Sequence, residues 1–154
     1  MGDKMIIGFA SDHRGLKLKN ELIKYFSDNG YTTVDYGTNS SESCDYPDYA
    51  YKLGIGILSN EVDFGVGVCG SGIGISIALN KMKGIYCAKV SDEDEAMHTR
   101  LDNNSNCIAF GEKMDLNKAI LCVETFVNTE YSYLERHNRR IKKMKDIENG
   151  EYHG

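Results

Sequence analysis

From Lys4 to Ile147 the chain alternates between two kinds of segment, and this order constrains the fold more than any other feature. Short runs of apolar, β-branched or aromatic residues read as strands: Lys4–Ala10, Tyr31–Tyr36, Val62–Val68, Ile85–Val90 and Cys107–Phe110. Between them lie segments of helical character: Leu16–Ser27, Pro47–Leu58, Ile73–Met82, Asp92–Leu101 and Leu116–Val127. Tyr131–Ile147 reads as a last helix, set off by Asn128 and Thr129. Strict alternation predicts an α/β fold: a three-layer αβα sandwich on a Rossmann-like, five-stranded parallel sheet. Right-handed crossovers place every strand's C-terminal end on one rim, where ligands of such sheets bind.

At 154 residues, without an internal period, the chain is expected to be one domain over 1–154. Sixteen glycines against one proline point to tight turns between regular elements rather than disorder. A net charge of −5 argues against a nucleic-acid coat. No run approaches the ~18 apolar residues of a membrane span, and the first residues lack a secretory pattern. The five cysteines are odd in number and form no CxxC, so neither a disulfide framework nor a zinc site is indicated. A cytoplasmic protein with reduced thiols, mostly buried, is expected.

The residues that follow each strand are therefore the ones to read for chemistry. Cys69-Gly70-Ser71-Gly72-Ile73-Gly74 is the sharpest of these segments: a buried strand runs into a glycine turn that opens a helix. Alternating Gly70, Gly72 and Gly74 let consecutive N–H groups converge, and such a nest at a helix N-terminus stabilises a negative oxygen. The same field favours a thiolate at Cys69, and Ser71 adds a hydroxyl; together they offer a base beside an oxyanion hole. The bland reading is a glycine turn with an inert thiol. Gly65 to Gly70 formally matches GxGxxG, but two of its glycines fall inside a strand, which argues against a nicotinamide cofactor.

Asp12 and His13 follow the first strand, where they can meet sugar hydroxyls, a phosphate or a proton; equally, Ser11 or Asp12 can cap a helix. Tyr46, in Asp45-Tyr46-Pro47, can reach a polar ligand or simply organise a helix start. Arg136 and Arg140 share a helix face and can fork around a phosphate, although charge runs are commonly solvated. Leu134, His137, Ile141 and Met144 form a stripe suited to packing on the body. Asp102 and Asn103 read as the cap and loop after a helix, with His98 one turn earlier.

Taken together, these segments resemble the ribose-5-phosphate isomerase B family, which includes galactose-6-phosphate isomerase subunits. The resemblance rests on Ser11–Gly15, Asp45–Pro47, Cys69–Ala78 with Asn80-Lys81, Asn103–Asn106, Phe110-Gly111, and Arg136-His137 with Arg140. It implies aldose–ketose isomerisation of a phosphorylated sugar through an enediolate, without metal or organic cofactor. By resemblance Cys69 is the base, and Ser71, the Gly70–Gly74 backbone and Asn103 stabilise the enediolate. Asp12 handles hydroxyls, Tyr46 lines the sugar, and His13, Arg136 and Arg140 hold the phosphate. A second branch of the family uses a Glu base; that position is Ile75 here, which implies the Cys branch. Sites between subunits are implied too, in a homodimer or tetramer with the C-terminal helix (about 131–148) at an interface. The chain departs from the pattern twice. Asp102-Asn103 stands where relatives commonly carry a His–Asn pair whose His is assigned to ring opening. Asp102 itself or His98 is then the candidate ring opener, unless the substrate is a tetrose phosphate that needs none or a different partner supplies the group. Lys113 stands where relatives often have Arg, keeping charge but losing bidentate geometry. Isomerisation of ribose 5-phosphate to ribulose 5-phosphate is expected. Another sugar phosphate, or a non-catalytic phosphosugar-binding subunit, is the alternative.

Overall fold

The computed structural model describes residues 5–154, so Lys4, at the start of the first expected strand, lies outside it. The strands are β1 (Ile6–Ser11), β2 (Thr32–Asp35), β3 (Phe64–Cys69), β4 (Cys87–Lys89) and β5 (Cys107–Gly111). The helices are α1 (Leu16–Asp28), α2 (Tyr46–Leu58), α3 (Ile73–Asn80), α4 (Glu93–Asn103), α5 (Leu116–Asn128) and α6 (Glu135–Glu148). The sheet is wholly parallel, in the order β2-β1-β3-β5-β4. This is the expected three-layer αβα sandwich.

The two faces of the sheet differ in the size of the side chains they carry. Because side chains alternate along a strand, Ile7, Phe9, Val66, Val68, Ile108 and Phe110 all join the cluster under α1, α4 and α5. Small residues face the other way: Ala10, Cys69, Cys107 and Ala109 pack with Leu53 and Ile57 of α2 and Ile75 and Leu79 of α3. Gly65 belongs to this second set. A Cβ there would lie 2.6 Å from Ile57, so α2 packs closer to the sheet than larger strand residues would permit. Burial pushes the Cys122 thiol up to about 11, and the Cys107 thiol is also raised, so both behave as small core hydrophobes.

Several element ends fall elsewhere than the periodicity predicts. α3 stops at Asn80, whose side-chain amide pairs with both backbone groups of Cys87 at 2.8 Å and turns the chain into β4. β4 keeps three residues of the predicted six, because its backbone pairs with β5 alone, at the sheet's edge. α4 runs on through Asp102 and Asn103 to a left-handed cap at Asn104 (φ 50°), so those two residues sit in a helical turn and not in a loop. α6 starts at Glu135 and not at Tyr131, because Tyr133 takes φ 58° and Leu134 is extended. The α6 stripe packs on the body only in part, with Ile141 half-buried. His137 is the buried residue of that helix, whereas Leu134 and Met144 are exposed.

No helix among the described residues is long and apolar enough to cross a membrane.

Candidate active site

Strand order creates the site. β1 leads outward to β2, β3 leads the other way, and β1 and β3 are neighbours with Ser11 opposite Val68. The crevice between two such divergent strands is where open α/β sheets take their ligands. Here it brings the loop after β1 against the loop after β3. The Asp12 N–H donates to the Val68 carbonyl (3.3 Å), while Asp12 Oδ1 accepts from the N–H groups of Arg14 (3.0 Å) and Gly15 (3.1 Å). Asp12 thus shapes its own turn, with the cap Gly15 opening α1.

Cys69 ends β3, 3% exposed, and its Sγ accepts the Gly72 N–H at 3.2 Å. Gly72 adopts φ +79°, a conformation open to glycine and costly for other residues. A Cβ there would also lie 2.6 Å from the Phe110 backbone carbon. Gly72→Ala is therefore expected to cost roughly 3 kcal/mol, through left-handed strain plus overpacking. Thermal unfolding checks this, with Tm falling by about 10 °C; an unchanged Tm would show that the turn tolerates a Cβ. The Ser71 Oγ accepts the Ile73 N–H at 3.1 Å, bracing the start of α3. Gly74 leaves room for the Tyr46 ring, which a Cβ would approach to 2.5 Å.

Around the thiol lies a cavity of about 610 Å³ lined by Asp12, Arg14, Tyr46, Cys69, Gly70, Ser71, Ile73, Gly74 and Lys113. Of the expected site residues, Asp12, Tyr46, Cys69, Gly70, Ser71, Gly74 and Lys113 share this space. Arg14 was not singled out by the sequence. Its Nε pairs with Glu112 at 2.5 Å, joining the β1 and β5 loops across the mouth. The signal was present as a cation inside the Asp12–Gly15 turn, but only the fold brings Glu112 to it. His13 does not line the cavity. Its Nδ1 accepts the Cys44 N–H at 3.2 Å and holds the loop before α2. Lys19, wholly buried on α1, holds the same loop from beneath. Its ammonium pairs with Asp35 at 2.8 Å and donates to Asn20 and Asn39.

The remaining expected site residues lie at the opposite rim. α4 begins at the β4 exit and runs back to Asn103, four residues before β5 opens at Cys107. Cys69 is in register with Gly111, at the far end of β5. Four strand steps at ~3.3 Å put at least ~13 Å between the two rims. Asn103 lines a separate cavity of about 320 Å³ with Asn80, Tyr86 and Cys87. Asp102 sits between two imidazoles, with His137 Nε2 at 3.3 Å and His98 Nδ1 at 3.8 Å. Arg100, buried two residues earlier, donates to the Ser105 and Thr129 carbonyls and fixes this end of the helix. Arg136 and Arg140 are exposed on α6 and have no ion-pair partner among the described residues. One copy of the chain therefore does not gather Asp102, His98, Asn103, Arg136 or Arg140 around Cys69.

Comparison with known proteins matches this arrangement. The Ribose/Galactose Isomerase family profile matches residues 7–144. Ribose-5-phosphate isomerase B of Escherichia coli is 37% identical over 143 residues, covering 92% of this chain and 95% of that one. The structure of Clostridium thermocellum ribose-5-phosphate isomerase B superposes with a TM-score of 0.91 at 39% identity, covering 95% of this chain and 99% of that one. The Mycoplasma genitalium ribose-5-phosphate isomerase B, with bound ribulose 5-phosphate, gives a TM-score of 0.88 at 31% identity, covering 96% and 99%. The fold, the glycine turn at the end of β3 and these matches together show that the chain belongs to the ribose-5-phosphate isomerase B family, in its cysteine-base branch.

Proposed function

We propose that the chain interconverts ribose 5-phosphate and ribulose 5-phosphate, with Cys69 moving the proton between C2 and C1. The observation that carries this reading is the Gly72 N–H on Cys69 Sγ, inside a cavity that also holds Asp12, Ser71 and Lys113. Deprotonating a carbon beside a carbonyl needs a base and donors aimed at the oxygen that becomes negative. Cys69 takes the C2 proton of the open aldose and returns it at C1. The loop over Gly70–Gly74 faces the enediolate oxygen, and Asp12 and Tyr46 hold the sugar hydroxyls. Lys113 supplies positive charge for the phosphate.

Two copies complete the site. A second subunit brings Asn103 to the enediolate and Arg136 and Arg140 to the phosphate, which one copy keeps at the other rim. One exposed apolar face supports this: Ile73 and Ile77, one turn apart on α3 and beside the cavity. Contiguous apolar surface of this kind is characteristic of association sites. A homodimer is the smallest such assembly, and a tetramer repeats it.

The departure at Asp102 favours a second reading, in which another sugar phosphate is preferred. Turnover of the purified chain on tetrose, pentose and hexose phosphates tests both. The pentose pair is expected to exceed the others by at least roughly tenfold in kcat/KM. A higher value for a tetrose or hexose phosphate would reject the ribose assignment. Phosphosugar binding with no isomerisation of any of them would reject catalysis.

A further inference from the structure

We propose that His137 is the proton partner of Asp102, and that the pair works as one acid–base unit that opens the sugar ring. This rests on the isomerase reading above and on the second copy presenting its Asp102 to the cavity. The contact itself is direct: His137 Nε2 lies 3.3 Å from Asp102 Oδ1. The two groups are stacked in depth. The His137 side chain is 9% exposed and that of Asp102 is 41% exposed, so the carboxylate faces outward with the imidazole behind it.

His137 is the buried residue of α6, on a helix whose neighbouring Leu134 and Met144 remain exposed. If α6 needed only an anchor, a leucine at this position would serve without desolvating an imidazole. The surroundings also fix the pair. The His137 N–H bonds the Leu134 carbonyl at 3.0 Å, and the Ser132 N–H bonds Leu101 at 3.2 Å. Tyr131 Oη donates to Asn138 Oδ1 at 2.7 Å. His98 is held less closely. It is 54% exposed and lies between Asp94 (3.6 Å) and Asp102 (3.8 Å).

The reaction needs such a unit. An aldopentose 5-phosphate closes its ring through O4. To open it, the O1–H proton must leave while the C1–O4 bond breaks, with that electron pair moving to O4. The O1–H pair becomes the C1=O1 double bond, and O4 gains a proton. A lone carboxylate accepts a proton readily but carries few to return near neutral pH. A carboxylate sharing a proton with an imidazole can do both. Asp102 takes the O1 proton, the pair delivers one to O4, and the enzyme ends in the protonation state in which it began. Asp102 touches the sugar in this scheme; His137 is a positioning residue that acts through it.

The test uses the difference between the two substrates. Ribulose 5-phosphate cannot form the furanose, because the oxygen needed carries the phosphate. Solvent-deuterium exchange at its C1 therefore requires Cys69 but no ring opening. His137→Gln and Asp102→Asn are each expected to lower ribose 5-phosphate turnover by roughly 10²-fold. Exchange into ribulose 5-phosphate should stay within about threefold of the wild type, and the double variant should be no slower than the worse single one. Equal losses in both assays, or wild-type turnover in His137→Gln, would overturn the proposal. If His137→Gln does not fold, the His137 Nε2 nitrogen resonance decides: it should shift in Asp102→Asn, and an unmoved resonance also overturns the proposal. A wild-type chain inactive in both assays would instead reject the isomerase reading itself.

Discussion

Cys69→Ala is expected to abolish proton transfer while leaving the fold and phosphate-ligand binding nearly intact. Removal of a positioned general base costs about 10²–10⁴-fold, and Asp12, the other acid–base group lining the cavity, is held by the N–H groups of Arg14 and Gly15, so turnover should fall by at least roughly 10³-fold. The fold should tolerate the change, because the residue is small and its neighbours Ala10 and Ala109 already line that face. Binding of 5-phosphoribonate, which cannot isomerise, reports the phosphate and hydroxyl contacts without the chemistry. The expected outcome is near wild-type affinity with no C1 exchange in ribulose 5-phosphate. Undiminished exchange would remove Cys69 from the mechanism. Cys69→Ser separates thiol chemistry from shape: a hydroxyl in the same place receives the Gly72 N–H but is far less acidic than a thiol, so it should be almost as inactive as alanine.

Mixing two inactive variants is expected to restore activity. If each site takes Cys69 from one copy and Arg140 from the other, Cys69→Ala and Arg140→Ala chains are each strongly impaired alone. A mixed dimer then has one site with both lesions and one site with neither. With random pairing, half the dimers are mixed and half of their sites are intact, so about a quarter of wild-type activity should return. Unfolding and refolding the variants together, followed by an assay on ribose 5-phosphate, checks this. No recovery, with mixed dimers verified by mass spectrometry, would reject a site shared between copies. Arg140 suits the test because it is exposed and has no ion-pair partner among the described residues, so its removal should leave the single chain's stability within about 0.5 kcal/mol.

Much of the architecture was legible because its causes are local. Alternation of Ile7, Gly8, Phe9 and Ala10 marks a strand whatever lies beside it, and the spacing of Leu18, Leu22 and Phe26 marks a helix. Gly72 was legible for a similar reason, since a strand that must turn at once into a helix favours a residue free to take positive φ. Element ends were less so. Asn80 stops α3 by bonding Cys87, seven residues on, and Tyr133 delays α6 through a backbone angle that its residue type does not announce. His137 looked like one member of an apolar stripe because only the packing of α6 on α4 reveals the carboxylate beside it.

The sequence by itself determined the layer type, the parallel sheet and the thiol at the head of a glycine turn. It also identified the family, since turn chemistry and side-chain periodicity act within a few residues. Tertiary structure alone decided which of the named residues meet. The pairing of β1 with β3 sets Asp12 beside Cys69, although 57 residues separate them in the chain. The antiparallel run of α4 carries Asp102 and Asn103 to the other rim, against His137 and away from Cys69. Strand order and helix direction are relations between distant segments, fixed by which faces bury together, and no local spacing encodes them.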